Sequence, residues 1–169
     1  MTHGTDTLGR PTARLRTLVA AGLLAAVPAM PAPALASALT TEERAKRGGE
    51  VISRLNNGQP QPTLERMREE FPFLAEATEA YALGDVWSRP GLGTRTRQLA
   101  AVAAFAAIGE TAFMKIHAGY ALNAGVSEDE LKEIVYMVTV PAGFPRAISA
   151  ARTLSELFAE RRPSEGGTP

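Results

Sequence analysis

The sequence predicts an all-α fold, a compact bundle of about six helices, and three observations support this prediction. After residue 40, apolar residues recur at helical spacing, and no segment shows the sustained alternation of a half-buried strand. Thr40 with Glu43, and Ser127 with Glu130, match the capping box that begins many helices. Alanine is abundant and aromatic residues make up only 6% of the chain, which favours closely packed helices over a sandwich or barrel.

The first three helices are predicted between Thr40 and Trp87. The first runs from the capping box at Thr40 to the turn-forming sequence NNGQPQP. Thr63 is a candidate cap for the second, and Pro72 breaks or restarts the helical pattern. The stretch that ends at Trp87 places five apolar residues broadly along one stripe, which we expect to face the core. These residues are Phe73, Leu74, Ala77, Tyr81 and Val86.

The second half of the chain predicts four more helical segments. Thr94 is a candidate cap for a helix over 95–108, which is apolar nearly all round and is therefore expected to be central. Gly109 interrupts the pattern before a helix that ends near Asn123 or Gly125. The capping box at Ser127 begins the next helix, and the sequence PAGFP turns the chain into a closing amphipathic helix.

The segments that flank this domain differ from it in composition. Residues 1–38 combine arginines, a short apolar run broken by Pro28, and small residues that suit cleavage, which is typical of a signal peptide. We therefore expect export to the periplasm or beyond, with a disordered leader and a cytoplasmic location as the alternative. The apolar run is too short for a stable membrane span. Residues 39–161 form the predicted domain, and residues 162–169 a disordered tail.

Composition also excludes several kinds of chemistry and partner. The 18 basic and 18 acidic residues cancel, so no net field attracts nucleic acid or an anionic membrane. The absence of cysteine excludes a thiolate nucleophile, a disulfide and a redox pair. One of the two histidines, His3, lies in the leader, and a zinc site or other metal centre is therefore not expected.

Three motifs in the predicted domain, in order, suggest a known family. They are WSRPGL, the RTR that precedes an alanine-rich helix, and HAGYALNAGVS. In these motifs the chain resembles the carboxymuconolactone decarboxylase family of the alkylhydroperoxidase-D-like superfamily, over residues 43–158. The resemblance implies an all-helical domain that forms ring-like homo-oligomers, trimers or hexamers.

The same resemblance implies one of two chemistries. One branch of the superfamily is a thiol peroxidase with two cysteines, a histidine and a glutamate. Here Glu110 and Phe113 stand at the cysteine positions, Gln98 stands at the glutamate position, and only His117 remains. Thiol peroxidase activity is therefore disfavoured. The other branch is the lactone decarboxylase itself, which works without metal or organic cofactor, and this chain fits that branch better.

His117 is the main catalytic candidate because its near-neutral pKa suits proton transfer and the family places a histidine there. Glu110 lies seven residues earlier, near two helical turns, and either orients or assists the imidazole or is a helix-entry acid. Tyr120, three residues after His117, is a candidate hydrogen-bond donor to a developing oxyanion. Trp87 is a further candidate for the substrate site. Structural packing is the alternative for both aromatic residues.

Three arginines before the apolar helix, Arg89, Arg95 and Arg97, are candidates for binding a substrate carboxylate. A planar guanidinium pairs bidentately with a carboxylate and keeps its charge when partly buried. The alternative is ion pairing with a protein carboxylate such as Asp85 or Glu110.

The predicted function is that of a cofactor-free lyase or isomerase acting on a small carboxylated lactone or enol. His117 would move the proton and an arginine would hold the acid. Three positions depart from the family pattern, each towards a small or apolar residue: Gly93, Phe113 and Ala124. These departures favour the alternative of a non-catalytic small-molecule binder or scaffold.

Overall fold

The computed structural model describes residues 38–162, and within this range it confirms the all-α prediction, with no strand. The helices are α1 (Thr41–Leu55), α2 (Pro62–Glu70), α3 (Pro72–Ala77), α4 (Thr94–Ile108), α5 (Thr111–Asn123), α6 (Glu128–Ala142) and α7 (Phe144–Arg161). A π-helix over Thr78–Trp87, called the π segment below, continues α3. The seven segments predicted in order are all present, against the approximate count of six, and the segment that begins at Pro72 divides into α3 and the π segment.

The predicted leader (residues 1–38) and tail (residues 162–169) lie outside the described residues, apart from Ala38 and Arg162. Export and tail disorder therefore stay predictions. None of the described helices has the length and apolarity that a bilayer crossing would require.

Both predicted capping boxes are present. At the start of α1 the Thr40 hydroxyl accepts from the Glu43 amide at 3.2 Å, and the Glu43 carboxylate accepts from the Thr40 amide at 2.7 Å. Ser127 and Glu130 repeat this exchange at the start of α6. Each box satisfies amide groups that the first turn of a helix would otherwise leave unpaired.

The other two predicted caps were wrong. Gln61, and not Thr63, caps α2, and its side-chain oxygen accepts from the Thr63 amide at 2.6 Å. Gly93 precedes α4, so Thr94 is already inside the helix, and no side chain caps this end. The first amide groups of α4 are consequently left without a side-chain acceptor.

The hydrophobic core has two parts, and α5 contributes to both. The larger cluster joins α4, α5, α6 and α7 around residues such as Val102, Met114 and Leu131, all of them fully buried. The smaller cluster joins α1, α2, α3 and the π segment to Tyr120 of α5. Because α5 packs into both clusters, a residue between its two faces lies at the boundary of the two cores.

Two glycines bring α1 and the π segment into close backbone contact. A Cβ atom at Gly48 would overlap the carbonyl oxygen of Glu79, and one at Gly84 would overlap the carbonyl oxygen of Arg44. Beside them, the Arg44 guanidinium pairs with the Asp85 carboxylate at 2.9 Å. Only glycine allows this approach, which holds the π segment and its last residue, Trp87, against α1.

The apolar stripe predicted to face the core before Trp87 is largely exposed. Phe73 is 83% exposed, and Leu74, Tyr81 and Val86 are exposed as well. For Tyr81 and Val86 the prediction was wrong because it assumed α-helical spacing, whereas the π segment bonds from i to i+5 and turns different residues inward. Phe73 and Leu74 belong to the short helix α3, of which only Ala75 is buried. Small residues and one leucine are buried instead, namely Ala75, Ala80, Leu83 and Gly84.

Adjacent glycines on α1 test this close approach. Gly48→Ala should lower the free energy of unfolding by about 1–3 kcal/mol, because the new methyl group forces the two backbones apart. Gly49→Ala should be neutral or stabilising by up to about 1 kcal/mol, because a Cβ there meets no atom within 4 Å. Urea unfolding of both variants measures the difference, and equal effects would contradict the proposed packing.

Candidate functional site

His117 lies on α5 at the boundary of the two cores, among three aromatic rings. The imidazole stacks on Trp87 at a centroid distance of 5.3 Å and on Phe105 at 5.1 Å, with interplanar angles of 20° and 24°. Tyr120 meets it edge-on at 5.7 Å. Trp87 comes from the end of the π segment, Phe105 from α4 and Tyr120 from α5, so three elements fix the ring.

The imidazole makes one hydrogen bond, to Gln98 of α4. His117 Nδ1 lies 2.8 Å from Gln98 Oε1. A carboxamide oxygen only accepts, so Nδ1 carries the proton in this arrangement. Nε2 is then the unprotonated nitrogen, and it has no hydrogen-bond partner among residues 38–162. The pair therefore holds His117 as a neutral imidazole with an available lone pair.

Burial lowers the pKa of His117 to about 4, from its ordinary value of 6.5. The aromatic surroundings remove water from the ring and supply no carboxylate to stabilise the charged form. Burial also raises the pKa of Tyr120. The Tyr120 hydroxyl is buried and has no hydrogen-bond partner in the described range. Both groups are therefore uncharged at neutral pH.

His117 lines a cavity of about 220 Å³, called the histidine cavity below. Its wall is mainly apolar, and it contains no charged side chain. Its lining includes Leu55, Gln61, Trp87, Phe105, Phe113 and Tyr120. An apolar cavity with a few polar groups is typical of a small-molecule site.

A second cavity, of about 270 Å³, adjoins the first and is called the arginine cavity below. The two cavities share Leu55, Trp87 and Tyr120 as lining residues. The arginine cavity adds Arg54 of α1 and Arg97 of α4, with the other lining residues Val51, Thr94, Gln98 and Ala124. Gln98 thus bonds to the histidine of one cavity and lines the other.

The structure separates the three arginines singled out from the sequence. Arg95 is exposed and pairs with Glu130 at 2.6 Å. It therefore makes an ion pair, the alternative to substrate binding, but with Glu130 and not with Asp85 or Glu110. Arg97 donates to the backbone carbonyls of Val86, Arg89 and Leu92, and so holds the loop before α4. Arg89 is exposed and lines neither cavity. Of the three, only Arg97 lines a cavity at the site.

Glu110 does not approach His117. It is exposed at the N-cap of α5, where its φ of −83° and ψ of 70° are not helical, and it lines neither cavity. The predicted shared face required the helix to run through Glu110, but α5 begins at Thr111. The imidazole therefore bonds to the Gln98 carboxamide oxygen and not to the Glu110 carboxylate.

Two residues of the site were not predicted as site residues from the sequence. Gln98 is fully buried (0% exposed) and was considered only as the replacement for a glutamate. Its signal was present, because it is a polar residue in an apolar helix, in register with Val102 and Phe105 on one face. Arg54 lies on a different helix from the predicted arginines, and nothing in its local sequence marked it.

The metal-binding residue types do not cluster at this site. Within the described range, His, Asp and Glu side chains nowhere form a group of three that could hold a metal ion.

Fold and site together define an all-helical protein with a partly buried, neutral histidine at a small-molecule cavity. The family model described as the carboxymuconolactone decarboxylase family matches residues 72–156, half of the chain. The chain is 32% identical over 121 residues to a 4-carboxymuconolactone decarboxylase of Acinetobacter baylyi, covering 71% of this chain and 90% of that protein. This chain belongs to the carboxymuconolactone decarboxylase family.

A second relative carries a different substrate name. The chain is 35% identical over 89 residues to a nitrosuccinic acid decarboxylase of Metarhizium robertsii. The match covers 50% of this chain and 61% of that protein. Both relatives are named as decarboxylases, and the substrates in their names differ.

The low pKa of His117 predicts a specific loss of stability in acid. The unfolded chain protonates this imidazole below about pH 6.5, whereas the folded chain does so only near pH 4. Stability from this group should therefore be complete above pH 6.5 and fall between pH 6.5 and 4, by up to about 3 kcal/mol. Urea unfolding across this window should show a steeper loss for the wild type than for His117→Gln. Parallel curves would show that His117 is not the buried titrating group.

Proposed function

We propose that this chain is a cofactor-free decarboxylase that acts on a small carboxylated lactone or enol acid, with His117 as the group that moves the proton. The observation that carries this proposal is the partly buried, neutral imidazole, whose Nε2 has no hydrogen-bond partner in the described range and whose side chain lines a small-molecule cavity. The decarboxylase names of the two relatives support the reaction type.

The chemistry needs one proton carrier. When the bond between the carboxylate and its neighbouring carbon breaks, CO₂ leaves and the electron pair stays on the substrate, where a conjugated carbonyl accepts it as an enolate. Replacing the lost CO₂ with hydrogen consumes one proton. Neutral His117 takes this proton from water at Nε2 as the anionic substrate binds and donates it to a carbon of the enolate, which leaves the imidazole neutral again. The substrate's own carbonyl accepts the electrons, so the proposal requires no cofactor.

The site suits this proton transfer in two ways. Gln98 holds the tautomer in which Nε2 accepts, so the lone pair is available before the substrate arrives. A substrate carboxylate beside the ring would oppose the effect of burial and raise the pKa of His117, because an opposite charge stabilises the imidazolium. The Tyr120 hydroxyl, buried and without a partner among the described residues, is a candidate donor to the enolate oxygen.

His117→Ala should lower decarboxylation by about 10²–10⁴-fold, which is the contribution of a positioned acid or base. Release of CO₂ from 4-carboxymuconolactone and from nitrosuccinic acid measures it, and circular dichroism checks that the helices remain. The matched control is His3→Ala, the same substitution at the other histidine of the sequence, which should keep wild-type turnover. Unchanged turnover in His117→Ala would refute the role of the imidazole.

A non-catalytic binding protein is the second candidate, favoured by the mainly apolar lining of the histidine cavity. Phe113, which replaces a polar or reactive residue at that position, is part of this lining. A binder would take up an apolar ligand, gain thermal stability and release the ligand unchanged. Absence of turnover on both substrates together with such stabilisation would favour this reading over catalysis.

We also propose that the chain forms homo-oligomers, as its family resemblance implies. An apolar groove of about 370 Å³ lies between α4 and α6, lined by Ala103, Ala107, Met137, Val138, Val140 and Pro141. Val140 is 88% exposed and Met137 is 64% exposed, with Phe144 exposed nearby in sequence. Contiguous exposed apolar surface of this kind supports contact with a second copy.

Val140→Glu should shift the chain to monomer, because it would bury a carboxylate in the contact between copies. Light scattering coupled to gel filtration measures the mass. Ser53→Glu adds the same charge at an exposed position of α1 and should leave the mass unchanged. An oligomer that survives Val140→Glu would exclude this groove as the contact.

A further inference from the structure

The arginine cavity carries positive charge that no protein carboxylate balances. Its lining includes Arg54 and Arg97 and contains no acidic residue. Arg97 donates only to backbone carbonyls, which bind the guanidinium without cancelling its charge. Arg54 makes no ion pair within residues 38–162. Arg54 is exposed, so its guanidinium is available to pair with an anion that enters this cavity from solvent.

The N-terminus of α4 opens at the same cavity. Thr94, the first residue of this fifteen-residue helix, lines the cavity, and Gly93 before it offers no side-chain cap. The first amide groups of a helix lack internal partners and carry a partial positive charge. At the starts of α1 and α6 a capping box supplies acceptor oxygens, whereas α4, like α5 and α7, has no side-chain cap. Among these uncapped helices, α4 is the one whose first residue lines the arginine cavity.

Gln98 gives an independent indication of a ligand. Its side chain is completely buried and lines the arginine cavity, yet its Nε2 has no hydrogen-bond partner in the described part of the chain. A buried amide donor without an acceptor costs stability, so such groups usually have a partner when a site is occupied. The other atom of the same amide, Oε1, already bonds to His117. The group that Gln98 Nε2 lacks is therefore a hydrogen-bond acceptor.

We propose that the arginine cavity is a subsite for a carboxylate group, in which Arg54 is the pairing cation and Gln98 Nε2 and the first amides of α4 are additional donors. The proposal rests on the proposed function in one respect, namely that the carboxylate belongs to the substrate of His117. The shared wall of Leu55, Trp87 and Tyr120 places this subsite next to the histidine cavity. A molecule with a carboxylate in one cavity can thus present its reacting carbon to the other.

Binding of succinate, a small dicarboxylate, tests the subsite without requiring turnover. Isothermal titration should show that Arg54→Gln binds succinate at least about tenfold more weakly than the wild type, because a charge-assisted pair is lost. Arg54→Lys keeps the charge and loses the bidentate geometry, so its affinity should lie between the two. Succinamide, the neutral analogue, should not compete.

The matched control is Arg47→Gln, which removes the same charge from an exposed position of α1 that lines neither cavity. It should bind succinate as the wild type does. Equal weakening in Arg47→Gln and Arg54→Gln would show a general charge effect and overturn the proposal. Wild-type affinity in Arg54→Gln, or no binding by the wild type, would overturn it as well.

His117→Ala separates this proposal from the proposed function. It should keep succinate binding, because the carboxylate contacts come from α1 and α4 and not from the imidazole. Loss of turnover with retained binding supports both proposals. Binding that depends on Arg54, in a wild type that decarboxylates neither substrate, would support the subsite and refute the catalytic role.

Discussion

The hydrogen bond between Gln98 and His117, inside an aromatic enclosure, is the interaction on which the rest of the site depends. The stacked rings of Trp87 and Phe105 remove water from the imidazole and favour its neutral form. The Gln98 carboxamide decides which nitrogen keeps the proton. Without the enclosure the ring would titrate as an ordinary histidine, and without Gln98 either tautomer would be available. The surrounding helices hold these four residues together.

The arginines that line the arginine cavity are not the set that the sequence suggests. Arg89 precedes α4, and Arg95 and Arg97 lie in its first turn. Folding gives these three side chains different contacts: Arg95 makes a surface ion pair, Arg97 binds the loop carbonyls, and Arg89 is exposed. The cavity's other cation, Arg54, comes from α1, at least 35 residues earlier in the chain. Arginines that are close in sequence therefore need not lie at one site, because the position and direction of each side chain on its helix or loop decide what it contacts.

Local signals in the sequence predicted part of the local structure. Both capping boxes and the helix end at Gly109 are present, because they depend on neighbours in the chain, whereas the single caps at Thr63 and Thr94 were wrong. His117 was singled out through its family position, and the candidates Trp87 and Tyr120 contact it. Of the two interpretations of Glu110, the helix-entry acid fits, because α5 begins one residue later, at Thr111.

Features that depend on helix packing could not be predicted in the same way. The exposure of Tyr81 and Val86 follows from a π-helical register that no propensity rule signals. Arg54 lines the arginine cavity together with Trp87, which the close packing of α1 on the π segment holds against α1. The orphaned nitrogen of Gln98 is visible only when all its neighbours are known. Such features require the three-dimensional arrangement and not the pattern along the chain.

The π segment also constrains how this chain can change over evolution. A ladder from i to i+5 holds about one residue more in each turn than an α-helix does, so one deletion within Thr78–Trp87 would let one of its turns relax to α-helical spacing. The indole at its end would then rotate relative to the imidazole, although the deleted position itself could be on the surface. Substitutions at the exposed positions of this stretch leave that geometry intact, whereas insertions and deletions anywhere within it do not.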